Sequence, residues 1–167
     1  KEETTPQPED PYGISKFAVE LDLQAAAQMF GLSFTVFRPH NVYGEYQNIG
    51  DRYRNVVGIF MNRIMPQQPL PVFGDGSQQR AFTYVGDLVG PIVDCPFNDA
   101  ARNEVFNVGA SQPVTVRELA EVVCAEFGVP PQLQFLDARN EVHLAFADHS
   151  KTTRVFGKQE DTPLATG

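Results

Sequence analysis

With 167 residues, no internal repeat and an apolar content of 42%, the chain can bury a real core and reads as one domain or part of one. Its formal charge of −8, with Lys and Arg scattered along the sequence, argues against nucleic acid or an anionic membrane surface as partner. Cys95 and Cys124 match no metal-ligand spacing and no disulfide framework, and no apolar run is long enough to span a bilayer, so a reducing cytoplasmic setting is expected.

Both ends look interrupted. Residues 1–10 are polar and broken by proline, with no initiator methionine, and residues 159–167 stop where another element is about to begin. The expectation is a piece of something larger, or a chain that has lost its ends.

Asp10 followed by Pro11 is an N-cap side chain ahead of proline at the first helical position. Phe17, Leu21, Ala25 and Met29 then recur at helical spacing, widened by Val19, Leu23 and Ala26, until Gly31 supplies a C-cap. Tyr12 and Lys16 are four apart at the start of this helix and share one face. An unperturbed tyrosine titrates near 10, so it serves as a base at neutral pH only where a positive neighbour stabilises the phenolate. An ammonium one turn away is such a neighbour, and the pair suits proton transfer to or from a hydroxyl.

Residues 33–38 are β-branched and aromatic and predict a buried strand. Helix, glycine turn and buried strand together predict an α/β protein with a parallel sheet. Residues 39–44 follow at the carboxyl end of that strand, where open α/β sheets bind ligands. Asn41 there could bond a sugar hydroxyl or could simply shape the turn. A polar loop covers 45–54, and Val56, Val57, Phe60 and Ile64 predict a short helix ended by Pro66. Residues 70–73 are extended and 74–76 form a turn. Residues 79–85 predict one strand, with Arg80, Phe82 and Tyr84 on one face and Ala81 and Thr83 on the other. Gly90-Pro91 and Cys95-Pro96 predict a short or broken element over 86–98. A strand follows at 104–108, then a capping box at Thr115–Glu118 with a buried stripe of Leu119, Val122, Val123 and Phe127. Residues 132–136 are extended, and 150–156 form a last short helix.

Five stretches carry a family likeness: Pro-Tyr-Gly-Ile-Ser-Lys (11–16), Arg-Pro-His-Asn-Val-Tyr-Gly (38–44), Val-Phe-Gly-Asp-Gly-Ser-Gln-Gln-Arg-Ala-Phe-Thr-Tyr-Val (72–85), Asn-Val-Gly (107–109) and Ala-Asp-His-Ser-Lys (147–151). In this order they resemble the second half of an extended short-chain dehydrogenase/reductase of the NAD-dependent nucleotide-sugar epimerase/dehydratase family, similar to UDP-glucose 4-epimerase. The resemblance implies an α/β fold: the C-terminal portion of a Rossmann-type parallel sheet plus a smaller α/β substrate-binding domain. Residues 1–54 would be the remnant of the first, and 55–167 mostly the second. The family's Gly-x-x-Gly-x-x-Gly turn, which seats the dinucleotide pyrophosphate, does not occur in these residues.

The same resemblance implies the site. Tyr12 would be the catalytic acid–base, and Lys16 would hold the nicotinamide ribose and stabilise the phenolate. Pro39 and His40 would lie beside the nicotinamide of NAD. Asn41, Asn55 and Val56 would contact the nucleotide-diphosphate sugar, Val72 and Phe73 would cradle its base, and Arg80 and Arg139 would face its ribose and diphosphate. Glu141 would accept from a ribose hydroxyl. The implied reaction is oxidation and re-reduction at a sugar carbon, as in a 4-epimerase, with a 4,6-dehydratase as the near alternative. No metal is implied. A non-catalytic nucleotide-sugar-binding or assembly fragment is the reading from another class. Uncovered strand edges and apolar faces would then drive self-association into homo-oligomers.

Overall fold

The computed structural model describes residues 1–51, 55–139 and 144–167. In chain order the elements are α1 (Pro11–Phe30), β1 (Thr35–Pro39), β2 (Val42–Tyr43), α2 (Val56–Ile64), β3 (Leu70–Phe73), β4 (Gln79–Ala81) and β5 (Thr83–Tyr84). Then follow α3 (Gly86–Asp94), two 3-10 turns (Cys95–Phe97 and Asp99–Ala101), β6 (Glu104–Val108), β7 (Pro113–Thr115), α4 (Val116–Glu126), β8 (Leu133–Leu136), β9 (Leu144–Ala145) and α5 (Ser150–Phe156). Contacts gather these into two compact units, one of Lys1–Arg38, Val89–Val108 and Ala147–Gln159, the other of Pro39–Leu88, Gly109–Phe146 and Glu160–Gly167.

In the first unit α1 begins where Asp10 Oδ1 accepts from the Gly13 N–H at 2.7 Å, and it ends at Gly31 in the left-handed region. No residue of α1 is buried. The expected stripe is therefore not a core face: Leu21, Ala25 and Met29 are exposed, while Phe17, Glu20, Leu23 and Ala27 are half-buried. Apolar residues occur on every side of this helix, so their spacing does not single out one face. Glu20 does, because its carboxylate takes both Nε and Nη2 of Arg38 from β1.

Strand β1 pairs with β6 and is half-buried along Thr35–Arg38, not buried as expected. Behind it Phe37, Phe106 and Phe156 meet with ring centroids 5.1–5.9 Å apart. Helix α5 is fastened to β6 by polar groups: Lys151 Nζ donates to Glu104 Oε2 and to the Val105 carbonyl, both at 2.7 Å, and Thr152 Oγ1 donates to the Asn107 carbonyl at 2.6 Å. The proline-rich stretch forms a short helix with Pro91 inside it and a 3-10 turn opened by Cys95-Pro96, the broken element that the prolines imply.

The second unit is built on Phe60 and Ile64 of α2, Leu70 and Val72 of β3, and Val116, Leu119, Ala120, Val123 and Cys124 of α4. Strand β3 pairs in parallel with β8, Val72 opposite Phe135, and β2 in parallel with β5. Strand β4 lies between β9, which is parallel to it, and β7, which is antiparallel. The architecture is thus α/β with mostly parallel pairings, as expected, and the β4–β7 pair is antiparallel. The strand expected over 79–85 is also divided, because Ala81, Phe82 and Thr83 are all buried and the chain changes partner between them.

Helix α4 opens with a complete capping box: Glu118 N–H donates to Thr115 Oγ1 at 3.0 Å, and Thr115 N–H to Glu118 Oε2 at 2.7 Å. The Thr115 N–H first, and then the Thr115 hydroxyl, which donates to the same Oε2 at 2.9 Å, hold the Glu118 carboxyl below its ordinary range. Because the folded value is depressed, the contribution is complete above the ordinary glutamate pKa and fades as pH falls through the lower folded value. Thr115→Ala should lower stability by about 1 kcal/mol, measured by urea unfolding at neutral pH, and the gap to wild type should narrow in acid.

Candidate functional site

The first unit presents Tyr12 and Lys16 on the opening turns of α1. The N-cap and Pro11 fix where the helix starts, and therefore which face these two share. Lys16 Nζ lies 5.4 Å from the centroid of the Tyr12 ring. Tyr12 is 62% exposed, so both the phenol and the ammonium can be reached from solvent. The pair that sequence spacing joined is also joined in space.

In the second unit the turn after β1 leads into β2. Pro39 is exposed and His40 half-buried. Asn41 adopts φ 23°, a left-handed value that asparagine tolerates better than most residues, and its Nδ2 donates to the Ala81 carbonyl at 2.9 Å. Asn55, at φ 59°, has its amide engaged on two sides: Nδ2 donates to the Val42 carbonyl, and Oδ1 accepts from the Val57 N–H at 3.2 Å. It caps α2 and ties that helix to β2, bringing Asn41 and Asn55 to the two ends of one short stretch of backbone. Val56 is half-buried against the core.

A second grouping forms at the end of β3. Val72 is fully buried, whereas Phe73 is half-buried and carries the Arg139 guanidinium 3.4 Å from its ring centroid. Such a stack leaves a planar cation displayed on an aromatic platform. Arg80 lies in β4 opposite Val114 and Ala145, with Nη1 donating to the Gln79 carbonyl at 2.8 Å. Glu141 lies outside the described residues.

Three features here were not singled out from sequence. Gln78 Nε2 donates to the Phe73 carbonyl at 3.1 Å and so steadies the end of β3. Tyr84 donates its hydroxyl to Glu45 Oε1 at 2.7 Å. Thr83, buried, accepts from the Ala110 N–H through Oγ1. A polar residue at an inward strand position was the signal for Thr83; nothing local marks the other two. The second unit also has a cavity of about 520 Å³ lined by Tyr43, Tyr84, Val57, Met61 and Phe127. Among the described residues, none of those expected to contact ligand lines it. Burial pushes the Tyr43 phenol up from its ordinary value, with the charges of Asp87, Tyr84 and Asp161 adding to the effect.

The profile of the NAD dependent epimerase/dehydratase family matches residues 1–109. The chain belongs to that family. It is 29% identical over 161 residues to the UDP-glucose 4-epimerase of Mycolicibacterium smegmatis, a match covering 96% of this chain and 51% of that protein. A trifunctional Arabidopsis thaliana protein, whose activities include UDP-glucose 4,6-dehydratase, is 30% identical over 164 residues, or 96% of this chain and 24% of that one. Among solved structures, the Thermotoga maritima UDP-glucose 4-epimerase with UDP-glucose superposes with a TM-score of 0.88 at 31% identity, covering 96% of this chain and 51% of that one. The chain spans about half the length of the two epimerases, and its α/β architecture matches the C-terminal portion of their Rossmann-type fold. Among the described residues no helix is long and apolar enough to cross a membrane, and no cluster of His, Cys, Asp or Glu could hold a metal ion.

Proposed function

We propose that this family member acts on a nucleotide-diphosphate sugar as an NAD-dependent 4-epimerase, with Tyr12 as acid–base and Lys16 as its electrostatic partner. The observation that carries the reading is the accessible Tyr12–Lys16 pair at the start of α1, in a chain of this family. Tyr12 as phenolate would take the proton from a sugar hydroxyl and later return it, and the Lys16 ammonium would keep that phenolate available. NAD, when bound, supplies hydride acceptance at the sugar carbon and return to its opposite face.

The reachable ammonium and phenol on α1 suit the nicotinamide-ribose end of that cofactor, and Pro39 and His40 are assigned to the nicotinamide by the family likeness alone. The turn that would seat the pyrophosphate is not in this sequence. Residues 1–54 are assigned to the Rossmann-type part and 55–167 mostly to nucleotide-sugar binding. Asn41 of the first part and Asn55 and Val56 of the second contact the ligand, Val72 and Phe73 support the base, Arg80 and Arg139 meet the diphosphate and ribose, and Glu141 accepts from a ribose hydroxyl. The exposed apolar side chains of α1, Leu21 and Met29 among them, support assembly into homo-oligomers, which sedimentation velocity would detect.

The deciding experiment supplies NAD and, by fusion, a dinucleotide-binding half carrying the Gly-x-x-Gly-x-x-Gly turn, adds UDP-glucose and follows the sugar by NMR. Appearance of the C4 epimer supports the proposal. A 4-keto-6-deoxy product would point to the dehydratase. Thermal stabilisation by UDP-glucose without turnover would point to a non-catalytic binding protein. Arg80→Ala should weaken UDP-glucose binding by roughly ten- to a hundredfold, the loss of a charge-assisted bond, with the melting midpoint kept; calorimetry showing unchanged affinity would remove Arg80 from the site.

A further inference from the structure

We propose that Thr83 and Gly109 are positioning residues that fix the His40–Asn41 turn before any ligand arrives; the inference rests on the assignment of that turn to cofactor and nucleotide-sugar contact. Thr83 is 1% exposed and lies in β5 beside β2. Its backbone N–H donates to the Asn41 carbonyl at 3.3 Å, and its hydroxyl accepts from the Ala110 N–H at 3.0 Å. One buried side chain thus ties the turn at 40–41 to the turn at 109–110.

Gly109 closes the other side. A β-carbon at this position would lie 2.7 Å from Thr83 Oγ1, 3.3 Å from His40 Cδ2 and 3.4 Å from His40 Cβ. Only hydrogen fits between the threonine hydroxyl and the imidazole edge. The φ of 146° is likewise one that glycine adopts freely and other residues do not. Thr83 cannot give way without losing its bond to Ala110, so added bulk at 109 is transmitted to His40. Asn41 is itself held in a left-handed conformation by its amide bond to the Ala81 carbonyl. A backbone in such a region keeps its shape only where its surroundings over-determine it. Support from β5, from the Ala81 carbonyl and from Gly109 meets that condition. The gain is preorganisation: ring and amide need not be ordered when the ligand binds. The Asn-Val-Gly motif thereby acquires a role, its glycine acting as a close-packed wall for a ligand-facing turn.

The test uses the 167-residue chain. Thr83→Val keeps the side-chain shape but leaves the Ala110 N–H without its acceptor, and Thr83→Ser restores the acceptor. Thr83→Val should shift the His40 imidazole NMR signal, identified by its loss in His40→Gln, and weaken UDP-glucose binding about five- to tenfold. Thr83→Ser should return both to wild type. Gly109→Ala should move the same signal, and it takes over as the test if Thr83→Val does not fold. A variant with a wild-type melting midpoint, His40 signal and UDP-glucose affinity would overturn the positioning role. If the wild-type chain binds neither UDP-glucose nor NAD while Thr83→Val still moves the His40 signal, the positioning role stands and the assignment of the turn to ligand contact falls.

Discussion

Tyr12→Phe should lower turnover of the nucleotide sugar by roughly 10²- to 10⁴-fold, the usual worth of a positioned acid–base group. The assay supplies NAD and, by fusion, a dinucleotide-binding half carrying the Gly-x-x-Gly-x-x-Gly turn that this sequence does not contain. The substitution removes one oxygen from a ring that is 62% exposed, so no core contact is lost and the melting midpoint should not move. Affinity for UDP-glucose should also hold, since the phenol is assigned to proton transfer and not to gripping the diphosphate. Lys16→Met offers a second reading of the same pair. It removes the ammonium that lies 5.4 Å from the Tyr12 ring while keeping much of the side chain's bulk. Its rate should fall, because the cation that stabilises negative charge on the phenol oxygen during proton transfer is gone. Wild-type turnover in Tyr12→Phe would sink the acid–base role. A parallel loss of UDP-glucose affinity would mean that Tyr12 binds substrate instead.

The parts of the fold legible in the sequence are those set by local chemistry. Asp10-Pro11, Gly31 and Thr115–Glu118 mark helix ends because caps and left-handed glycines act within a few residues, and α1 and α4 begin where those signals stand. The prolines at 91 and 96 shorten their helix for a similarly local reason. What was illegible depends on partners distant in sequence. The half-buried face of α1 is chosen by the Glu20–Arg38 fork, which apolar spacing does not encode. The division between β4 and β5 follows from a change of neighbour, β7 and β9 on one side of Phe82 and β2 on the other. At the site, the Tyr12–Lys16 pair is an i, i+4 relation and could be read directly. The stack of Arg139 on Phe73 could not, because 66 residues separate its members (139 minus 73) and no period links them. Thr83 and Gly109 belong with the second kind: each looks ordinary in sequence, and their meaning comes from the 2.7 Å that separates a missing β-carbon from a hydroxyl.

Phe106→Ala should be the most destabilising single change in the first unit, at about 3–5 kcal/mol. Phe106 is fully buried in β6 and touches both other rings of its cluster, at 5.8 Å from Phe37 and 5.1 Å from Phe156. The second contact is edge-to-face, a geometry that adds to the area term because the positive rim of one ring meets the negative face of the other. The ring has a further neighbour in Lys151, whose Nζ sits 4.9 Å from the centroid while donating to Glu104 and the Val105 carbonyl. Truncation therefore opens a cavity between β1 and α5 and removes one wall from a partly buried cation. Domains of this size are stable by about 5–15 kcal/mol, so the loss is a large fraction of the total. Urea unfolding should show a lower midpoint with an unchanged slope, the sign of weaker packing in an otherwise intact fold. Phe135→Ala serves as the contrast. That ring is 53% exposed and is covered on one side by Arg117, so its removal costs less area and leaves no void. If the two substitutions cost the same, the aromatic cluster around Phe106 is not what holds α5 against β6, and the bonds from Lys151 and Thr152 carry that load instead.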